Sequence, residues 1–244
     1  MKFIMKSSFI RLSLSLLFIV SSTLLVETSV FSKPKEDSKK VSPEDSIKDP
    51  MEKRIYILLN DENVVKRRHA AITLWHYPHP RSVNALIEAL EDDDSQVRKN
   101  AVRSLGKLRS KKAIPDLIEL LDEEEGDLRN QAVRSLGLIG GKEVVGPLIA
   151  ALDDEDKVVR MSAIWSLKLI RDKRALRGLI ERLFEEDKEV RAYAAQALGD
   201  FGDKRAVKYL KHAYMNDKDL SVRQNAALSL RKLGVKVDFP TENG

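Results

Sequence analysis

Cysteine is absent from the 244-residue chain, which excludes a disulfide framework, thiolate catalysis, thiolate-ligated zinc or iron–sulfur centres, and a lipid-modified N-terminal cysteine. Histidine numbers only four, which leaves little imidazole for metal binding or acid–base work. Neither sign of charge prevails. There are 43 Lys and Arg against 38 Asp and Glu, and beyond the first 32 residues the balance is 40 against 37, too small an excess to name a polyanionic partner. His-Glu-x-x-His, Gly-x-Ser-x-Gly and Gly-x-Gly-x-x-Gly are also missing. Gly141-Lys142 resembles the end of a phosphate loop, but Glu143 stands where Ser or Thr is needed, so the segment reads as an interhelix turn. What remains is 43% hydrophobic and 33% charged residues, enough to bury a sizeable core.

The only long uncharged run, Leu12 to Val26, follows Lys2, Lys6 and Arg11. A positive segment followed by a short apolar one is the pattern of a secretory signal, and Val30 and Ser32 are small enough for the −3 and −1 positions of a cleavage site before Lys33. The alternative is an uncleaved anchor, since Glu27 alone interrupts apolarity up to Phe31. Fifteen helical residues reach about 22 Å, short of the roughly 30 Å hydrocarbon core, which favours cleavage. Residues 1–32 are therefore expected to be a signal peptide, and the mature protein to be periplasmic or secreted with no membrane insertion. Residues 33–50 hold five Lys, five acids and three Pro, too little apolar surface to offset ordering, and read as a disordered, charged tether.

From Met51 onward the chain copies itself. Arg67, Arg98, Arg129, Arg160 and Arg191 recur every 31 residues, and Arg223 follows at 32. Alanine stands three residues after each (Ala70, Ala101, Ala132, Ala163, Ala194, Ala226), and leucine four beyond that (Leu74, Leu105, Leu136, Leu167, Leu198, Leu230). Upstream, Ile55, Leu86, Leu117, Leu148, Leu179 and Leu210 keep the same step. Each unit thus carries two short stretches with apolar residues at i, i+3, i+4 and i+7, a hairpin of amphipathic helices termed A and B. In the second unit the spacing predicts helix A over 82–91 and helix B over 95–108, with Ser95 as capping hydroxyl among the carboxylates Asp92 to Asp94. Gly106, Gly137 and Gly199 are expected to end B helices, and Asp49-Pro50-Met51-Glu52 to cap the first A helix. A lone hairpin cannot cover its apolar face, so units stack on one another, with Ala allowing close helix approach and Leu filling the layers. Residues 51–234 are assigned to this all-α solenoid of six two-helix repeats, and 235–244 to a tail whose apolar residues lie over its open end.

The pattern Leu-x(5)-Asp-x(5)-Arg-x-x-Ala-x-x-x-Leu-Gly, read at Leu86, Asp92, Arg98, Ala101, Leu105 and Gly106, resembles the HEAT-like repeat of the phycobilisome-lyase type. The resemblance implies a right-handed superhelix whose B helices line the inner, concave surface. It also implies that the arginine and the acid six residues before it link successive repeats. The matching positions are Asp61 and Arg67, Asp92 and Arg98, Glu123 and Arg129, Asp154 and Arg160, Glu185 and Arg191, and Asp217 and Arg223, with glutamate departing from aspartate in units three and five.

On such a concave face, B-helix positions two, five and nine residues after the arginine are neighbours on one stripe, and the candidates for recognition lie there. Asn100, Arg103, Gln131, Arg134, Trp165 and Tyr193 form its basic, amide-bearing and aromatic middle, and Arg, Trp and Tyr are the types enriched at binding hot spots. Unit one departs from the others with Trp75-His76-Tyr77-Pro78-His79-Pro80. His69, His76 and His79 are its only metal candidates; two turns separate the first two and prolines stiffen the rest, so an atypical capping unit is the better reading. The resemblance extends to enzymes on related repeats. The His-Glu dipeptides of deoxyhypusine hydroxylase are missing here, a photosynthetic cytoplasmic substrate does not suit an exported phycobilin lyase, and the basic excess falls short of a nucleic-acid groove. The sequence therefore reads as an exported, non-catalytic adaptor, expected as a monomer, without cofactor or nucleic acid, that binds a protein or peptide on its concave face. The alternative is a catalytic or cofactor-assisting subunit of the lyase or hydroxylase kind.

Overall fold

The computed structural model describes residues 42–241; the segment read as a signal and the first part of the segment read as a tether lie outside them. Among the described residues there is no strand, and twelve α-helices alternate in six pairs. The A helices are α1 (Pro50–Asn60), α3 (Pro80–Glu88), α5 (Ile114–Glu119), α7 (Val145–Ala150), α9 (Leu176–Glu181) and α11 (Val207–Asn216). Their B partners are α2 (Val64–Thr73), α4 (Ser95–Lys107), α6 (Gly126–Ile139), α8 (Lys157–Ile170), α10 (Lys188–Phe201) and α12 (Leu220–Lys232). The middle A helices are short because 3-10 turns continue them: Lys111–Ala113 and Leu120–Asp122 flank α5, Lys173–Ala175 and Arg182–Phe184 flank α9, and Ala151–Asp153 follows α7.

Aspartates set where the B helices begin. Asp94 holds an extended backbone (φ −89°, ψ 117°) and accepts from the Val97 N–H, so it, and not Ser95, caps α4; Ser95 is already helical and turns its hydroxyl to Glu125 at 2.9 Å. Asp156, Asp187 and Asp219 cap α8, α10 and α12 in the same way. At the start, Asp49 accepts from the Glu52 N–H with Pro50 in the first turn. The last part of the segment read as a disordered tether is ordered: Pro43–Ser46 forms a 3-10 turn, closed by Ser42 on Asp45 at 2.6 Å. Glu44 and Asp45 tie it to Lys66 (2.6 Å) and Lys53 (3.2 Å), two anchors that composition alone does not reveal.

Every B helix packs on the next, α2 through α12, and on its own A helix. The repeated alanines and leucines after the arginine are all buried, and so are the upstream leucines from Leu86 to Leu210. One hydrophobic cluster runs from Leu58 to Leu233. It is continuous because each layer covers the apolar face that its neighbour leaves open.

The glycines expected to end the B helices lie inside them, and their task is close approach. A Cβ on Gly106 would stand 2.6 Å from the Ser135 hydroxyl, one on Gly137 would stand 2.9 Å from the Ser166 Cα, and one on Gly199 would stand 2.7 Å from the Ser229 Cα. Of the facing serines, Ser135 and Ser166 donate to the carbonyls of Val102 and Val133 on the preceding B helix at 2.9 Å, as Ser104 does to Ala71 at 2.7 Å, whereas the buried Ser229 hydroxyl has no partner among the described residues. The helices end instead on left-handed residues, Gly140 (φ 69°), Arg171 (φ 56°) and Gly202 (φ 83°). At the C-terminal end Val235 and Val237 pack against the core and Pro240 is buried, while Phe239 stays exposed beside Arg231.

Candidate partner-binding face

The arginine row aligns the B helices. Each Nη1 donates to the backbone carbonyl of the acid six residues before it: Arg67 to Asp61 (3.1 Å), Arg98 to Asp92 (2.9 Å), Arg129 to Glu123 (2.7 Å), Arg160 to Asp154 (2.8 Å), Arg191 to Glu185 (2.8 Å) and Arg223 to Asp217 (2.9 Å). The other edge of the guanidinium reaches a carboxylate of the following repeat. Arg67 grips Asp92, Arg129 grips Asp154 and Arg191 grips Asp217, each by two bonds of 2.8–3.0 Å, and Arg160 meets Glu185 at 2.7 Å. Within a unit the partner is thus a peptide carbonyl, and between units it is the acid side chain. Burial pushes the Asp154 and Asp217 carboxyls up, but the arginine bonds outweigh it and both end below the ordinary range. One rung differs. Glu123 is exposed, and Arg98 instead lies 3.6 Å from Glu125, which also binds Lys99 at 2.7 Å.

With the helices so aligned, a stripe of polar and aromatic side chains crosses the B-helix layer. Asn100 does not belong to it. Asn100 is buried, donates to the Arg68 carbonyl on α2 at 3.0 Å and accepts from Gln96, so the two-after position is an inter-helix tie in unit two. Ser162 plays the same part in unit four, bonding Asn130 at 2.6 Å. Arg103 and Arg134 are exposed, and Gln131, Trp165 and Tyr193 are half-buried. Arg103 touches Gln131 Oε1 through two long bonds of 3.4 Å. Arg134 lies over the Trp165 ring on the next helix, 5.2 Å from its centroid. Burial raises the Tyr193 hydroxyl above its ordinary value against the opposing Arg134 charge.

Several members of the stripe escaped the sequence reading. Lys168 stands 6.0 Å from the Tyr193 centroid and 3.6 Å from Asp200, which binds Lys232 at 2.6 Å. Lys107 covers Trp75 at 4.2 Å. Lys107, Asp200 and Lys232 occupy the nine-after row that the spacing places on the stripe, and Lys168 and Trp75 stand one position before it; none is among the candidates drawn from the two-after and five-after rows.

The histidines of unit one do not converge. His79 Nδ1 accepts from the Arg81 N–H at the start of α3, His76 stacks on Trp75 at 3.9 Å, and His69 points to solvent. No group of three or more His, Asp or Glu among the described residues is arranged to hold a metal ion.

A family model described as HEAT repeats matches residues 51–136, 114–186 and 176–241. The chain belongs to the HEAT-repeat family. Its HEAT-like array is similar to the complex of CpcE and CpcF of phycocyanin lyase from Nostoc sp. PCC7120, at 25% identity and a TM-score of 0.56, over 85% of this chain and 82% of that one. It is also similar to YibA of E. coli (23% identity, TM-score 0.58, 75% and 67% covered). A third likeness is to a designed armadillo repeat protein in complex with the peptide (KR)4 (18% identity, TM-score 0.55, 76% and 100% covered). The latter two likenesses show the fold alone. No curated protein matches the sequence.

Proposed function

We propose that this HEAT-repeat protein is an exported adaptor, without a reaction of its own, that docks a protein or peptide partner on its B-helix face. The observation that supports this most is the pair of guanidinium groups at Arg103 and Arg134, set beside Trp165 and Tyr193 on successive helices. Among the described residues neither guanidinium has a carboxylate within 4.0 Å. Among these residues the Arg103 fork meets only the Gln131 amide oxygen, at 3.4 Å, which a carboxylate can displace, and the half-buried rings offer fixed area at little entropic cost. With Lys107, Lys168 and Lys232 against Asp200 alone, the stripe is positive, which favours partner surfaces rich in carboxylates. If the face is concave, as the family resemblance implies, five steps of about 10 Å give a run of about 50 Å.

Export rests on the N-terminal pattern, and mass spectrometry of the exported protein reads it: an N-terminus at Lys33 supports cleavage, and an intact Met1 overturns it. Crosslinking in the native envelope identifies the partner. A pull-down with the Arg103→Ala/Trp165→Ala double variant then tests the face, and capture of that partner at wild-type level refutes the role assigned to it. Stoichiometric iron or zinc in the purified protein would favour a catalytic subunit instead.

A further inference from the structure

A second surface is built from A helices, with no residue of the B-helix stripe in its lining. Between α9 and α11 lies a groove of about 880 Å³. Its floor is apolar, formed by Leu176, Ile180, Val207 and Tyr209. At one end Phe184 is 58% exposed, its ring centroid 5.8 Å from that of His212. A large ring left open at the mouth of an aliphatic trough is surface that a partner gains by covering.

The rim carries a net positive charge. The sequence Asp-Lys-Arg-Ala occurs at 172–175 and again at 203–206. In each copy the aspartate binds the arginine two residues on, by backbone and guanidinium: Asp172 with Arg174 at 2.9–3.0 Å, and Asp203 with Arg205 at 2.7–3.1 Å. These bonds hold both carboxyls at about 2, well below the ordinary aspartate range. Arg177 is likewise paired with Glu181 at 2.8 Å. The lysines are left over. Among the described residues Lys173, Lys204, Lys208 and Lys211 have no carboxylate within 4.0 Å. Seven cations and three carboxylates therefore leave an excess of four positive charges around an apolar floor.

We propose that this groove docks an acidic peptide segment with an apolar anchor: the anchor covers Phe184 and Ile180, and flanking carboxylates pair with the four lysines. The floor decides the class of partner. A single-stranded nucleic acid needs ring faces for its bases, yet most of the floor is aliphatic and the Tyr209 ring already carries Lys208 Nζ 4.7 Å from its centroid. A bilayer surface would meet the lysines but not a floor recessed between two helices. A peptide side chain reaches both.

Fluorescence anisotropy on the full chain tests this with a labelled peptide of three Glu-Glu-Leu-Phe repeats. Lys-Lys-Leu-Phe and Glu-Glu-Ser-Ser peptides, phosphatidylglycerol vesicles and an oligothymidylate serve as competitors. We expect binding that weakens with salt, a loss of about tenfold in Lys204→Glu/Lys208→Glu and a several-fold loss in Phe184→Ser. We also expect no change in the Arg134→Ala/Trp165→Ala variant of the B-helix face. The substituted groove residues are exposed or at the rim, and circular dichroism verifies that the variants stay folded. No binding, equal binding by the groove variants, loss in the B-face variant instead, equal binding of the Glu-Glu-Ser-Ser peptide, or stronger competition by vesicles or oligonucleotide would each overturn the proposal. The B-face variant separates this site from the adaptor reading, so either can fail alone.

Discussion

Two glycine-to-alanine substitutions in the same solenoid are expected to separate, one lowering stability and the other leaving it near wild type. Gly137 lies inside α6, where an added methyl would stand 2.9 Å from the Ser166 Cα and closer still to that serine's side chain. The obstacle includes backbone, so α8 must shift away from α6, and the bond from Ser166 to the Val133 carbonyl at 2.9 Å is strained with it. Overpacking of this kind costs about 1–3 kcal/mol, and a weakened buried hydrogen bond adds about 1 kcal/mol. Alanine's better helix propensity returns about 1 kcal/mol, leaving Gly137→Ala less stable by about 1–3 kcal/mol. Gly146, in the first turn of α7, is exposed and has nothing within 4 Å of its would-be Cβ. There the entropic gain of about 0.5–1 kcal/mol is opposed only by the restriction that Pro147 places on a helical residue before it, so Gly146→Ala stays within about 1 kcal/mol of wild type. For a solenoid of this size each kcal/mol moves the midpoint by about 2–4 °C. Urea titrations followed by far-UV circular dichroism compare the variants at equal slope, a safeguard because repeat arrays depart from two-state unfolding. A Gly137→Ala protein as stable as wild type, or a Gly146→Ala protein that falls with it, would show that the helices are not spaced as described.

The remaining predictions concern the core and the arginine row. Leu136 is wholly buried, so Leu136→Ala loses about 2–5 kcal/mol, and Ala132→Leu, which overfills the same layer, loses about 1–3 kcal/mol; thermal melts without either loss contradict the layering. Asp217→Ala leaves Arg191 charged and buried, with side-chain exposures of 7% and 9% in the pair, and costs about 3–5 kcal/mol, whereas Arg98→Ala, which removes a 3.6 Å pair with Glu125 and the 2.9 Å bond to the Asp92 carbonyl and leaves no buried charge behind, costs about 1–2 kcal/mol. Equal losses would dissolve the distinction between the rungs. The folded Asp154 and Asp217 carboxyls lie below their ordinary value and Asp94 at about 2, held by Arg68. Because these folded values are depressed, the stability they contribute is complete above the unfolded value of about 3.9 and is lost as pH falls from there through the folded values. Asp217→Asn therefore flattens the acid limb of the stability curve, and an unchanged limb counts against the linkage.

Much of the architecture was legible because it repeats. A side chain that recurs every 31 residues must meet the same neighbours in every unit, so the arginines, alanines and leucines could be placed without coordinates. The helix pair of unit two was anticipated within two residues at each end, apart from the 3-10 turn that finishes its A helix. Positions that look alike in the pattern but differ in depth were harder to read. Asn100 shares its register with half-buried Gln131 and Tyr193, yet it turns inward to the Arg68 carbonyl, a choice set by the neighbouring helix. Gly106, Gly137 and Gly199 stand near helix ends in sequence, where a terminating role is the usual inference, but the serines facing them lie 29 or 30 residues away and reveal the need for close approach only in three dimensions. The pairing of Arg134 with Trp165 and of Lys168 with Tyr193 is equally non-local. The groove between α9 and α11 was not read from the sequence, although Asp-Lys-Arg-Ala stands twice beside it. What that duplication does not disclose is that each aspartate neutralises its arginine and leaves the lysines unmatched.

The claim that the B-helix face receives the partner is tested most directly by site-specific photocrosslinking in the native envelope. A photoreactive residue at Gln196, exposed on α10, is compared with one at Glu119, exposed on the A helix α5. The account predicts one discrete crosslinked protein from position 196, none from position 119, and loss of the crosslink when Arg134→Glu is added. Crosslinking to that same protein from position 119 with none from 196, or a crosslink from 196 indifferent to Arg134→Glu, would contradict it.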